Sequence, residues 1–196
     1  MEFIAHRINT LHELAALDHS YGAELDLRDD LTGRIYIAHN PFVAGEDFEK
    51  YLAGYRHGTM ILNIKSERIE EQALRLLKKY NIKKYFFLDS TFPMIKSLSD
   101  TGEKNFALRY SEFEGIDTLR LMRGKVKWVW ADCFTKFPLT IESYQEIKEL
   151  GYKICLVSPE LEGHGDDIAA YKKIMYDNNF IVDAICTKSY NIEKWR

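Results

Sequence analysis

Phe3-Ile4-Ala5-His6-Arg7, Ala23-Glu24-Leu25-Asp26-Leu27-Arg28 and Ile35-Tyr36-Ile37-Ala38-His39-Asn40 are three short apolar runs that carry, or end in, proton carriers and charged groups. Their length and aliphatic content predict strands. In the middle run, side-chain alternation places Glu24, Asp26 and Arg28 on one face. Charges on the inner face of a buried strand need partners or a metal, so this face is a candidate site. His6 and His39 end the flanking runs, where the backbone is held and the side chains can converge on the carboxylates.

Outward from this stretch, strand-like runs alternate with amphipathic segments almost to the end of the chain. Further strands are expected at Met60–Lys65, Tyr85–Asp89, Phe106–Ser111, Lys127–Cys133, Lys153–Ser158 and Ala184–Lys188. Helices are expected at Thr10–Leu17, Phe48–Tyr55, Ser66–Tyr80, Thr140–Leu150 and Asp167–Tyr176, with Ser66 and Thr140 as N-caps and Gly151 as a stop signal. Counting Ala23–Asn40 as one barrel strand with a return gives eight β/α units. The expected fold is therefore α/β: a compact (β/α)8 TIM barrel, one domain spanning residues 1–196, near the lower size limit of that fold. An open doubly wound sheet is the alternative. No G-x-G-x-x-G or G-x-x-x-x-G-K-[ST] string opens a helix, so a nucleotide fold lacks its usual warrant.

Composition narrows the function classes. The 196 residues are 46% hydrophobic and 29% charged, with a formal net charge of -3. That balance argues against a nucleic-acid partner and gives no membrane-surface signal. No run is long enough for an integral membrane segment and no leader pattern opens the chain, so a cytoplasmic location is expected. Cys133, Cys155 and Cys186 lack C-x-x-C spacing and read as small core residues rather than a disulfide or zinc framework.

His-Arg after an apolar strand, Glu-Leu-Asp some twenty residues on, and an apolar run ending in His-Asn-Pro together resemble the glycerophosphodiester phosphodiesterase superfamily. That superfamily also holds the phosphatidylinositol-specific phospholipases C and the sphingomyelinase D enzymes. The likeness is sharp over residues 3–41, fair over 60–65, and topological elsewhere. It implies that His6 and His39 are the paired general acid and base of a phosphoric diester hydrolase. It further implies that Glu24 and Asp26 bind a divalent cation, Mg²⁺ or Ca²⁺, and that Arg7 and Lys65 hold phosphate oxygens. The substrate class is a small-molecule, lipid or glycan phosphodiester.

The chain also departs from that pattern. The third metal carboxylate of the family falls at Asn63, a neutral oxygen donor, which weakens or removes the cation. Arg28 corresponds to a position where an arginine replaces the cation in the metal-independent phospholipase branch, and it is a further phosphate-binding candidate. Ile8 stands where relatives carry Gly, Asn9-Thr10 replaces Glu-Asn-Thr, and the specificity insertion after the second histidine is missing. Two further function classes stay open: a catalytically lapsed barrel binding a phosphorylated ligand or partner protein, and an unrelated barrel enzyme such as an aldolase or isomerase using Lys65 or Lys188 as a Schiff-base amine.

Simpler readings compete at most positions. Arg7 and Lys65 could pair with Glu24 or Asp26 as structural ions. Arg109, Asp132 and Trp130 are expected at strand ends as substrate contacts, or as an internal salt bridge beside a core tryptophan. His12, His19 and His57 are expected at the surface. Glu160-Leu161-Glu162-Gly163-His164 is expected to be a mobile loop rather than a metal site.

Overall fold

A computed structural model describes residues 1–196. By their internal packing they form two compact units, one of Ile4–Ser97 and one of Met1–Phe3 with Leu98–Arg196. The fold is a mixed sheet clad with helices.

The first unit contains the second half of β1 (Glu2–Ala5), then α1 (Leu11–Ala16), β2 (Gly22–Asp29), β3 (Ile35–Ile37), β4 (Glu46–Asp47), α2 (Phe48–Gly54), β5 (Met60–Ile64), α3 (Glu70–Lys79) and β6 (Tyr85–Leu88). It also holds the start of α4 (Phe92–Asp100). Its parallel strands pair in the order β1-β2-β5-β6, a half-barrel. The eight residues of β2 make this unit work. Gly22 and Ala23 pair with β1, Ala23–Leu27 pair with β5, and Leu27–Asp29 pair antiparallel with β3 beyond the end of β1. The run at Ile35 is thus a hairpin return, which places His39 beside the carboxyl end of β2. Gly22 permits the close strand packing at the start of β2, since a Cβ there would lie 2.3 Å from the Thr59 carbonyl oxygen.

Leu25, Leu27, Ile61, Leu62, Phe86, Phe87 and Leu88 are buried, as strands covered on both faces require. The other face of β2 carries Glu24 and Asp26, both 0% exposed. Tyr51 of α2 reaches under β1 and donates to the Ile8 carbonyl at 2.8 Å.

The second unit holds β7 (Ala107–Tyr110), α5 (Asp117–Leu121), β8 (Trp128–Ala131), α6 (Ile141–Glu149), β9 (Lys153–Val157), α7 (Ile168–Asp177), β10 (Ala184–Thr187) and α8 (Ile192–Trp195). Its strands run parallel in the order β7-β8-β9-β10, a second half-barrel. Thr140 caps α6 as expected, in a capping box with Ser143. The three cysteines are buried and unbridged.

Several expectations fail in instructive ways. Ser66 does not cap α3, which begins at Glu70 after Ile69 with no side-chain cap; the Ser66 hydroxyl instead accepts from the Asp29 amide at 3.3 Å. The segment Glu160–His164 is not loose. Its Glu160 carboxylate takes the Ser158 and Thr187 hydroxyls and the Lys188 amide, and His164 Nε2 sits 2.8 Å from the Phe134 carbonyl. His57 is half-buried against His19 and Tyr55 and bonds the Leu17 carbonyl, which caps the end of α1.

Candidate active site

The first unit brings His6, Arg7, Glu24, Asp26, Asn63, Lys65 and His39 together at the carboxyl ends of β1, β2 and β5. Parallel register sets Asp26 opposite Asn63 and Glu24 opposite Ile61, so both carboxylates and the amide share a face. Arg7 and Asp89 end β1 and β6 in left-handed conformations, φ +57° and +61°. Such backbone is costly for these residues and persists where the surroundings demand it. At Arg7 the demand is visible: the turn aims its amide at Glu24 Oε2, 2.7 Å away.

Glu24 Oε1 accepts from Asn63 Nδ2 at 2.9 Å, and His6 Nε2 lies 3.8 Å from Oε2, an electrostatic contact rather than a hydrogen bond. Burial, and then the charge of Asp26, push the Glu24 carboxyl up to about 7. Asp26 Oδ2 accepts from Asn9 Nδ2 at 2.8 Å, while Asn9 Oδ1 accepts from the Asp26 amide at 3.0 Å. Lys65 Nζ stands between two carboxylates, 3.7 Å from Asp26 Oδ1 and 3.4 Å from Asp89 Oδ2.

His39 is exposed, and its ring is fixed from both sides. Arg7 Nη2 lies 2.6 Å from Nε2, and Asn40 Oδ1 lies 2.8 Å from Nδ1. A guanidinium only donates, so Nε2 holds the lone pair and Nδ1 carries the proton given to Asn40. This is the tautomer of a general base at Nε2. Arg28 supports the same loop from below, donating to the His39 carbonyl through Nε and Nη2 and to the Lys65 carbonyl through Nη1. Those bonds engage three of its five N–H groups and leave two for a ligand.

The donor set suits a hard cation in kind. Asp26 Oδ1 and Asn63 Oδ1, on register partners, are buried with no hydrogen-bond partner. With Glu24 they would present two carboxylates and one amide oxygen, the oxygen ligands that Mg²⁺ and Ca²⁺ take. No group of three or more His, Cys, Asp and Glu side chains is arranged to hold a metal, so in any such set the neutral Asn63 would have to be the third protein ligand.

Arg109, Asp132 and Trp130 form their own cluster in the second unit, at the ends of β7 and β8. Arg109 Nη1 is ion-paired with Asp132 Oδ2, and Trp130 Nε1 donates to Oδ1 at 2.9 Å. Burial raises the Asp132 carboxyl to about 7 against the pull of Arg109 and the indole. Arg109→Leu is expected to destabilise the protein by about 2 kcal/mol at pH 8, where it strands a buried carboxylate, and by less at pH 5, where that carboxyl is protonated. Urea unfolding at the two pH values reads the difference; equal losses would show that the pair's charge is immaterial.

No family model matches this sequence, and no curated protein matches it. The fold, by contrast, is shared along nearly the whole chain. A glycerophosphodiester phosphodiesterase from Agrobacterium tumefaciens superposes with a TM-score of 0.67 at 15% identity, covering 96% of this chain and 97% of that one. The enzyme of that name from Thermotoga maritima gives 0.67 at 15% identity, over 99% and 97%. A glycerophosphoryl diester phosphodiesterase from Parabacteroides distasonis gives 0.68 at 10% identity, over 99% and 85%. The chain therefore shares the α/β fold of these glycerophosphodiester phosphodiesterases. No helix in it is long and apolar enough to cross a membrane.

Proposed function

We propose that this chain is a phosphoric diester hydrolase, its parallel strands closed as a single (β/α)8 barrel domain over residues 1–196. One observation carries the reading: two histidines flank a buried carboxylate pair, with the His39 Nε2 lone pair held against the Arg7 guanidinium. His39 Nε2 takes the proton of the attacking hydroxyl. His6 gives a proton to the departing alcohol oxygen as the P–O bond breaks. Arg7 swings from His39 to the phosphate, which frees the base as the anion arrives, and Lys65 supports the same oxygens as a point charge. Glu24, Asp26 and Asn63 would hold a divalent cation, Mg²⁺ or Ca²⁺, which when bound offsets the charge gathering on phosphate. Because His39 is exposed, it returns its proton to solvent between turnovers.

The test is release of p-nitrophenol from bis(p-nitrophenyl) phosphate by the purified chain, with Mg²⁺, with Ca²⁺ and with chelator. Turnover is expected, strongest with one of the cations. Calorimetric binding of the diester without turnover would instead establish the lapsed, ligand-binding barrel.

A further inference from the structure

Charge is unevenly placed on the second unit. At the amino ends of β7, β8 and β9, opposite the ends that carry Arg109 and Asp132, stand Lys104, Lys127 and Lys153. Strand pairing holds them abreast: the Lys127 amide donates to the Lys104 carbonyl and the Lys153 amide to the Lys127 carbonyl, each at 2.9 Å. Neighbouring strands lie about 4.8 Å apart, so the three residues form a row about 10 Å long. All three are exposed, and Arg123 is exposed in the turn that leads into β8.

None of the three lysines is paired with a carboxylate, in a chain whose formal net charge is -3. Two of them are nevertheless held in place. Lys127 Nζ donates to Asn105 Oδ1 at 3.0 Å, and Lys153 Nζ lies over the Trp128 ring, 5.2 Å from its centre. A neutral amide and an aromatic face fix an ammonium group without cancelling its charge. Like charges set abreast repel, and a bound anion relieves that repulsion. The row is also short. At one end Glu103 precedes Lys104, and Asp100 pairs with Lys125 at 3.3 Å. At the other end Asp183 leads into β10, taking Lys148 Nζ at 3.2 Å, and its carbonyl accepts from the Glu2 amide. A long polyanion laid across the strands would meet these carboxylates, whereas a short one fits between them. Trp128 is buried under Lys153, which leaves its ring no stacking surface for a nucleobase.

We infer that Lys104, Lys127 and Lys153 bind a short linear oligophosphate, free or as the phosphate chain of a nucleotide, at a site that shares no residue with the candidate active site. Calorimetry on the whole chain with phosphate, pyrophosphate, tripolyphosphate and ATP tests it. Affinity is expected to rise with the number of phosphates and to fall severalfold from low to physiological salt. ATP should match tripolyphosphate, because the phosphates alone are recognised. Lys127→Gln/Lys153→Gln should weaken tripolyphosphate binding about tenfold, with folding checked by circular dichroism, and Lys104→Gln alone should weaken it about threefold. No detectable binding, equal affinity for phosphate and tripolyphosphate, or binding that both lysine variants leave untouched would overturn the inference. Binding lost in Arg7→Gln/Lys65→Gln but kept in the lysine-row variants would overturn it by placing the phosphates at the candidate active site. Markedly tighter binding of ATP, or of a deoxythymidine oligonucleotide, would overturn it by adding a base or an extended backbone to what is recognised.

Discussion

His39→Ala is expected to lower kcat by about 10³-fold on phosphodiesters of every kind, and His6→Ala by as much only where the departing alcohol is a poor leaving group. The asymmetry follows from the geometry. His39 Nε2 faces Arg7 as an acceptor and must take the proton of the nucleophile whatever departs. His6 Nε2 lies 3.8 Å from Glu24 Oε2 and supplies the proton of the departing oxygen. p-Nitrophenolate leaves without that proton, so His6→Ala should retain most of its activity on an aryl ester and little on an alkyl one. Paired assays on methyl p-nitrophenyl phosphate and a dialkyl phosphate, with circular dichroism to establish folding, check this. Equal losses for both variants on both substrates would remove the division of roles. Asn40→Leu should fall between, about tenfold down, because it releases Nδ1 and lets the tautomers mix.

What the sequence revealed follows from where periodicity applies. His6, Glu24, Asp26 and His39 stood out because strand alternation and strand ends are local features, and buried charges on such a face demand explanation. Nothing in the sequence ties Asn9 to Asp26. It lies in the β1–α1 loop, which has no periodicity, and its two bonds to Asp26 exist only once β1 and β2 lie side by side. Asn40 stands out in the sequence only as part of His-Asn-Pro, and its hold on the His39 ring depends on a single rotamer. The sequence offers Arg28 as a phosphate ligand, and its bonds to two carbonyls depend on the hairpin and the end of β5 meeting. β4 is two residues long and pairs only with β3, too short to leave a pattern.

Glu24 makes stability depend on pH in a direction opposite to that of a paired surface carboxylate. Its ordinary value of 4.5 is raised to about 7 in the folded chain, first by burial and then by Asp26. Below pH 4.5 both the folded and unfolded chains hold the proton, and the contribution is complete. Between 4.5 and 7 the folded chain keeps a proton that the unfolded chain has released, so stability falls as pH rises, by about 3 kcal/mol in all. Glu24→Gln keeps the shape and does not titrate. Its unfolding free energy is therefore expected to be flatter over this window and to match or exceed the parent at pH 8. A divalent cation competes with the same proton. Saturating Mg²⁺ or Ca²⁺ should accordingly raise the melting temperature more at pH 8 than at pH 5 in the parent, and hardly at all in Glu24→Gln. Urea and thermal unfolding of both proteins at pH 5 and pH 8, with and without cation, measure these differences. Parallel pH curves would show that Glu24 stays ionised without a cation, held by Asn63, the Arg7 amide and Lys65, and the site would then be neutral by its own residues.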